Sequence, residues 1–258
     1  MECAAVTPLL ITFNEIDNIT RTLSKLDWAQ RIVVIDSGST DGTLEVLARD
    51  SRIEVVHRPF DSFAEQCNFG LTQIRTGWVL SMDADYELGD GFVAELEGLQ
   101  PGQDQAGYRA AFVYRIHGRP LRGSLYPPRA VLYRVDGARY ENEGHGHRIR
   151  LAGKVSDLRS PIFHDDRKPL SRWLGSQLKY AAREATHLLS SPRENLSRID
   201  RLRLMGWPAP ILVLGYVLIA KGAILDGRAG WFYAWQRLLA EALLALELLD
   251  RRLSGASK

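Results

Sequence analysis

Four short runs rich in valine, isoleucine and leucine frame the first hundred residues: Val6 to Thr12, Arg31 to Asp36, Ile53 to His57 and Trp78 to Asp83. Between them the apolar positions change to helical spacing, as at Ile19, Leu23 and Leu26, then at Leu44 and Leu47. Strands separated by helices imply βαβ units, because parallel neighbours need a long crossover. Runs this apolar belong to a sheet buried on both faces. The expected fold is therefore α/β, with a mainly parallel sheet. In such sheets ligands bind at the carboxyl ends of the strands. Three of the four runs end there in polar clusters: Thr12-Phe-Asn14-Glu15, Asp36-Ser37-Gly38-Ser-Thr-Asp41 and Asp83-Ala-Asp85. Three clusters converging on one edge are harder to explain as helix capping than any one of them alone.

Each cluster carries its own chemistry. Asp83 and Asp85, at i and i+2 on a strand end, can reach one hard cation if the chain turns there. Such a cation, Mg²⁺ or Mn²⁺, takes oxygen ligands and is usually completed by substrate phosphates. The alternative is a solvated strand-to-loop turn. The second cluster lacks the glycine spacing and lysine of a phosphate-cradling loop. Its carboxylates suit a ribose hydroxyl or a base N–H. Ser39, Thr40 and Asp41 also offer N-caps for the second helix, which leaves Asp36 as the binding candidate and Asp41 as the cap. Asn14 has two readings, as a site residue and as the cap of the next helix.

Beyond residue 107 the alternation stops. Tyr108 to Ile116 and Ala130 to Val135 are expected strands of an antiparallel extension running to His164. From Pro169, the residues Leu170, Trp173, Leu174, Leu178, Ala181, Ala185 and Leu188 recur at helical spacing, and a last helix is expected from Trp231 to Leu253. The apolar stretch 209–220 falls short of the about 20 residues a spanning helix needs. The N-terminus, with Glu2 where a signal peptide needs positive charge, reads as the first strand of a cytosolic domain. Two cysteines, Cys3 and Cys67, fit neither a disulfide framework nor a zinc site, and so imply a reducing compartment.

The net charge of +2 argues against nucleic acid as a partner. That figure is a cancellation: residues 1–159 hold 18 Lys and Arg against 22 Asp and Glu, and residues 160–258 hold 15 against 9. A basic part rich in leucine and tryptophan suits an anionic membrane surface. A helical subdomain or an oligomer interface is the alternative, and the oligomeric state is left open.

Taken in order, Thr12-Phe-Asn-Glu15, Val33-Val-Ile-Asp-Ser-Gly-Ser-Thr-Asp-Gly-Thr43, Asn68 and Val79-Leu-Ser-Met-Asp-Ala-Asp85 resemble the family 2 glycosyltransferases of the GT-A fold. The match is close over residues 6–100. His164-Asp-Asp-Arg-Lys-Pro-Leu-Ser-Arg-Trp173, Gln177, Tyr180-Ala and Lys221-Gly…Leu225-Asp-Gly-Arg-Ala-Gly extend it toward a narrower branch. That branch includes lipopolysaccharide-core glucosyltransferases and related envelope-polysaccharide enzymes. The resemblance implies a GT-A-type, Rossmann-like catalytic domain over 1–164, with a nucleotide-sugar-binding half (1–100) and an acceptor-side half (101–164). A basic, amphipathic helical region over 165–258 follows.

It further implies that Thr12, Asn14, Glu15, Asp36, Ser37, Gly38, Asn68 and Asp83 hold a nucleotide-sugar donor, usually a UDP-sugar. Asp85, with Asp83 nearer the ribose, would hold Mg²⁺ or Mn²⁺ on the diphosphate. His164, after the apolar Pro161-Ile-Phe163, is a candidate third metal ligand or diphosphate contact, the alternative being a histidine fixed by its acidic neighbours. Inverting transfer needs a group to take the acceptor hydroxyl's proton. The candidates are Glu143, His145, His147, Asp165 and Asp166, with Glu143 favoured and Asp166 next. Pro169 replaces the glutamine of the Gln-x-x-Arg-Trp motif of processive enzymes, so a single transfer is expected. Arg167, Lys168 and Arg172 are candidates for diphosphate or acceptor phosphate. The acceptor would be a lipid-linked saccharide or the lipopolysaccharide core, reached by a peripheral enzyme at the cytoplasmic face of a bacterial inner membrane. A polyprenyl-phosphate glycosyltransferase is the nearest alternative. A nucleotidyltransferase would need a basic glycine-rich first loop, which is missing, and intact Asp83 and Asp85 speak against a non-catalytic sugar- or membrane-binding homologue.

Overall fold

A computed structural model describes residues 1–143 and 146–255, the side chains of 143, 146 and 147 excepted. The chain divides into two compact units, Met1–Arg115 with Tyr126–Arg167, and Ile116–Leu125 with Lys168–Lys258.

In the first unit the four apolar runs become β1 (Val6–Thr12), β2 (Ile32–Asp36), β3 (Ile53–His57) and β4 (Trp78–Asp83), joined by α1 (Ile19–Leu23), α2 (Thr43–Leu47) and α3 (Phe63–Thr72). β4, β1, β2 and β3 lie side by side and parallel, with Thr12 level with Asp36 and Ile11 level with Asp83. The polar clusters thus share one edge. Alternate side chains on a strand point to opposite faces. Leu10, Val34 and Leu80 fill one core, while Leu9, Val33 and Val79 fill the other. That is why these strands show no polar alternation. Gly70 of α3 sits where an added Cβ would stand 2.7 Å from Leu9 Cδ1, so glycine is what lets this helix press onto β1.

The chain continues through β5 (Tyr86–Leu88), α4 (Phe92–Gly98), β6 (Gln105–Ala110) and β7 (Phe112–Ile116). β8 (Arg119–Pro120) falls in the second unit, and β9 (Arg129–Arg134), β10 (Arg139–Glu143), β11 (Gly146–Arg150), β12 (Lys154–Asp157) and β13 (Ile162–His164) complete the first. β9 runs antiparallel between β4 and β6, and β12 adds to β6, closing a seven-stranded sheet. The architecture is the expected one, a mainly parallel α/β sheet with antiparallel parts. One expectation is corrected: Tyr108 to Ile116 is two strands. Ala110 ends β6 in the large sheet, and Phe112 begins β7, which pairs with β13 in a smaller sheet beside β5.

The second unit is helical: α5 (Leu170–Ser190), α6 (Arg198–Leu204), α7 (Pro208–Gly215) and α8 (Gly227–Leu253). α5 buries Ala181, Ala185 and Leu188 against Leu244 and Leu248 of α8, although Leu170 and Leu178 of the same apolar stripe stay exposed. A capping box between Ser197 and Asp200 starts α6. Arg203 then joins that helix to Glu184 of α5 and Glu241 of α8. Burial works against the Arg203 charge, but the two carboxylates hold its pKa above the ordinary value. The apolar stretch 209–220 forms α7 and a π-helical turn, Tyr216–Ala220. Among the described residues, no single helix is long and apolar enough to cross a membrane.

Candidate active site at the carboxyl edge of the sheet

Asp36 ends β2 fully buried, and its carboxylate accepts four hydrogen bonds. Gly38 N–H (2.8 Å) and Ser39 N–H (2.9 Å) donate to Oδ1, and Thr12 Oγ1 (2.9 Å) and Ser39 Oγ donate to Oδ2. A carboxylate has about four acceptor positions, so the protein occupies them all. Burial alone would push this carboxyl up, but the hydrogen bonds from Ser39, Gly38 and Thr12 outweigh it and hold its pKa below the usual range. Asp36 therefore organises the loop that the sequence reading expected it to serve as a binding group. Ser37 Oγ accepts from Gln66 Nε2 at 2.9 Å. Gly38 adopts φ +96°, a conformation that favours glycine.

The expected cap of α2 is also corrected. Gly42, which has no side chain to accept a hydrogen bond, occupies the N-cap, and Asp41 Oδ1 accepts from the N–H of Thr43, the first residue of the helix. Ser39 and Thr40 instead hold the first cluster. Asn14 sits at φ +56°, its N–H bonded to Ser39 Oγ and its side-chain oxygen to Thr40 N–H. Asn14 is not the cap of α1, a position taken by Asn18.

This coupling has a measurable consequence. Asp36→Asn offers N–H where hydroxyl or amide donors must find an acceptor, and each buried unpaired group costs about 1–3 kcal/mol. The variant is expected to melt several degrees lower at pH 7. The folded carboxyl titrates below its unfolded counterpart (about 3.9), so its stabilisation is complete above that pH and is lost as pH falls through the folded value. Thermal melts from pH 7 to pH 2.5 should show an acid-side loss in the parent that is smaller in Asp36→Asn. Parallel curves would sink the assignment.

Asp83 ends β4, and Asp85 lies two residues on, 8% exposed. β13 brings His164 in from 79 residues away, with Nε2 3.2 Å from Asp85 Oδ2. The His164 ring is walled by Tyr86, Tyr114 and Tyr126, with ring centres 4.8–5.2 Å away, and its Nδ1 is buried without a hydrogen-bond partner. Burial disfavours the imidazolium, but Asp85 and then Asp83 and Asp166 more than offset it, so the ring's pKa is raised. Among the described residues no three His, Cys, Asp or Glu side chains form a ready-made metal cage. The expected trio of Asp83, Asp85 and His164 is therefore not one. A pair of adjacent donors does fit a cation that takes its remaining ligands from phosphate oxygens and water. Asp85 Oδ2 and the imidazole are such a pair.

Asp165 and Asp166 separate sharply. Asp165 is fully buried, its Oδ2 held by Arg167 Nε (2.9 Å) and Arg21 Nη1 (3.3 Å). It serves the fold, and it takes Arg167 with it, away from the expected phosphate role. Asp166 is partly exposed, and Asn18 Nδ2 donates to its Oδ1 at 3.4 Å. Asn18 also bonds Glu15 Oε2 (3.0 Å), so the first cluster and the Asp166 turn share one buried amide. Asn68 is committed elsewhere: its carboxamide clamps the Tyr140 main chain, donating to O and accepting from N–H. The side chains of Glu143 and His147, and all of His145, lie outside the described residues. Lys168 and Arg172 belong to the second unit.

Sequence reasoning missed two residues here. Asn18 stands three after Glu15, a helical spacing that could have revealed it. Arg129 has no such signal. It opens β9, antiparallel to β4 with Leu80 opposite Leu132, which brings it to the end of β4 that carries Asp83. Its guanidinium lies 4.6 Å from the Tyr126 ring centre. Partial desolvation works against its charge, yet Tyr126, Tyr86 and Asp83 hold its pKa above the ordinary value.

The family model for glycosyl transferase family 2 matches residues 9–146, more than half of the chain. An uncharacterized glycosyltransferase of Rickettsia bellii (strain RML369-C) is 23% identical over 204 residues, 73% of this chain and 69% of its own. The lipopolysaccharide core biosynthesis glycosyltransferase LpsC of Rhizobium meliloti (strain 1021) is 30% identical over 153 residues, 57% of this chain and 54% of its own. Among solved structures, S. aureus TarS 1–349 in complex with UDP-GlcNAc aligns over 97% of this chain and 92% of that one, at 13% identity and a TM-score of 0.47.

Proposed function

The chain belongs to glycosyl transferase family 2, and on that premise we propose that it moves one sugar, with inversion, from a UDP-sugar to a hydroxyl of a lipid-linked or lipopolysaccharide-core acceptor. The similarity to LpsC supports the acceptor class. The observation that carries the reading is the Asp85–His164 pair beside Asp83 and Asp166, at the edge where the three polar clusters end. Asp85 and His164 would hold Mg²⁺ or Mn²⁺, which would offset the charge that grows on the departing diphosphate. Thr12, Asn14 and Glu15, with the loop that Asp36 organises, flank the nucleotide. Arg129 faces the diphosphate, where a guanidinium matches phosphate oxygens.

Asp166 takes the proton as the acceptor oxygen attacks the anomeric carbon. The carbon–oxygen bond to the diphosphate breaks, and UDP leaves with the electron pair. The acceptor would be met at the cytoplasmic face of a bacterial inner membrane, with the enzyme peripheral.

Calorimetric titration with UDP tests the donor side. The parent should bind UDP roughly tenfold tighter or more with Mn²⁺ present. Arg129→Ala should lose about tenfold in both conditions, the worth of one charge-assisted hydrogen bond. UDP affinity indifferent to Mn²⁺ and to Arg129 would overturn the donor assignment.

A further inference from the structure

The second unit holds 16 Lys and Arg against 7 Asp and Glu, a net +9, while the first unit carries −7. Within this basic unit one segment is almost uncharged. Residues 204–236 contain only Lys221, Asp226 and Arg228, and Asp226 is paired with Arg122 at 3.3 Å. Of the 25 large apolar side chains exposed among the described residues, 11 lie in this segment. The most exposed are Ile219 (79%), Trp207 (74%) and Leu225 (68%).

The backbone there bends sharply between two helical arms. The helical run Pro208–Ala220 meets Ala223–Leu253 at a bend of 70°. The bend is tightly packed: a Cβ on Gly230 would fall 1.8 Å from the Ala223 carbonyl oxygen, so only glycine fits there. Three N–H groups of the turn bond within it: Lys221 to Tyr216 O (3.0 Å), Gly222 to Ile219 O (3.1 Å), and Leu225 to Gly222 O (3.0 Å). Internal bonds of this kind lower the cost of bringing a non-helical turn into hydrocarbon. The first arm, at 1.5 Å per residue, is about 20 Å long, too short for a core of roughly 30 Å.

We infer that the Pro208–Leu225 tip is a re-entrant wedge that inserts into one leaflet of an anionic membrane and returns, carrying Ile219 and Leu225 deepest. Trp207 and Trp235 sit at the headgroup level that indole favours. Lys221, Arg228 and the surplus cations of the unit meet the anionic headgroups. A second copy of the chain would cover the apolar residues but would bring another +9 against the first, which is why the membrane is the better occupant. The inference rests on the reading that the acceptor is membrane-borne, and narrows it from a surface to an inserted element.

Flotation of the full chain with vesicles tests it, using phosphatidylcholine alone and phosphatidylcholine with 30% phosphatidylglycerol. The parent should float with the anionic vesicles, and brominated acyl chains should quench its tryptophan emission. I219D/L225D removes side chains that pack little in the protein and should lower partition roughly tenfold or more. L246D/L253D, at equally exposed positions near the far end of α8, should float like the parent. Equal flotation of parent and I219D/L225D, equal loss in both variants, or no flotation with a parent dimer that I219D/L225D dissociates, would each overturn the wedge. UDP-sugar hydrolysis in solution, unchanged in I219D/L225D, keeps a failure of insertion separate from a failure of the transferase reading.

Discussion

Asp85→Ala is expected to lower UDP-sugar turnover roughly a thousandfold, the scale seen when one electrostatic partner of a developing charge is removed. The loss should come with the Mn²⁺ dependence of UDP binding, since the aspartate is proposed to act through the cation. Folding should survive. What ties this turn to its neighbours is largely main-chain and needs no Asp85 side chain: Thr22 Oγ1 bonds the Ala84 carbonyl at 2.8 Å, and Asp165 N–H bonds the Asp85 carbonyl at 3.4 Å. Release of UDP from donor, followed with and without Mn²⁺ in parent and variant, decides the matter. A variant that turns over like the parent, or that keeps the parent's Mn²⁺ response, removes Asp85 from the site.

The second large effect concerns the proton. Asp166→Asn keeps the size of the side chain and its place beside Asn18 but leaves nothing to accept a proton. The expected result is a fall in kcat of about 10²–10⁴, the usual contribution of a general base, with UDP affinity within about twofold of the parent. A KM-dominated loss would make Asp166 a binding group, and unchanged kcat would transfer the base to another carboxylate. Asp165 offers no such role, because its carboxylate is buried between Arg21 and Arg167. One residue along the chain separates a structural ion pair from a proposed base. The turn after β13 decides which of the two faces inward.

The strand runs and the helix spacing were legible because both are local periodicities. All four strands of the parallel core fall within one residue of their expected bounds. The strand break at Ala111 was not legible. Tyr108 to Ile116 is uniformly strand-forming, and only the competition between two sheets for its hydrogen bonds splits it. The polar clusters share one edge of the sheet as expected, but the partners of their individual residues were not legible. Asp36 was expected to touch ligand, yet Thr12 and Ser39 hold it from both sides. Asn68 was placed with the donor, yet it holds a strand 72 residues away.

By itself, then, the sequence determined that three polar clusters gather at one edge of the sheet, since the residues that follow each strand are contiguous with it in the chain. Only the tertiary structure decided which of those polar groups remain for a ligand. A carboxylate or amide satisfies its hydrogen bonds with whatever the fold brings near, and each of these groups has a distant partner: Thr12 lies 24 residues from Asp36, Tyr140 lies 72 from Asn68, and Arg21 lies 144 from Asp165. That is why Asp36, Asn68 and Asp165 turned inward, and why Arg129, with no motif around it, came to stand beside Asp83.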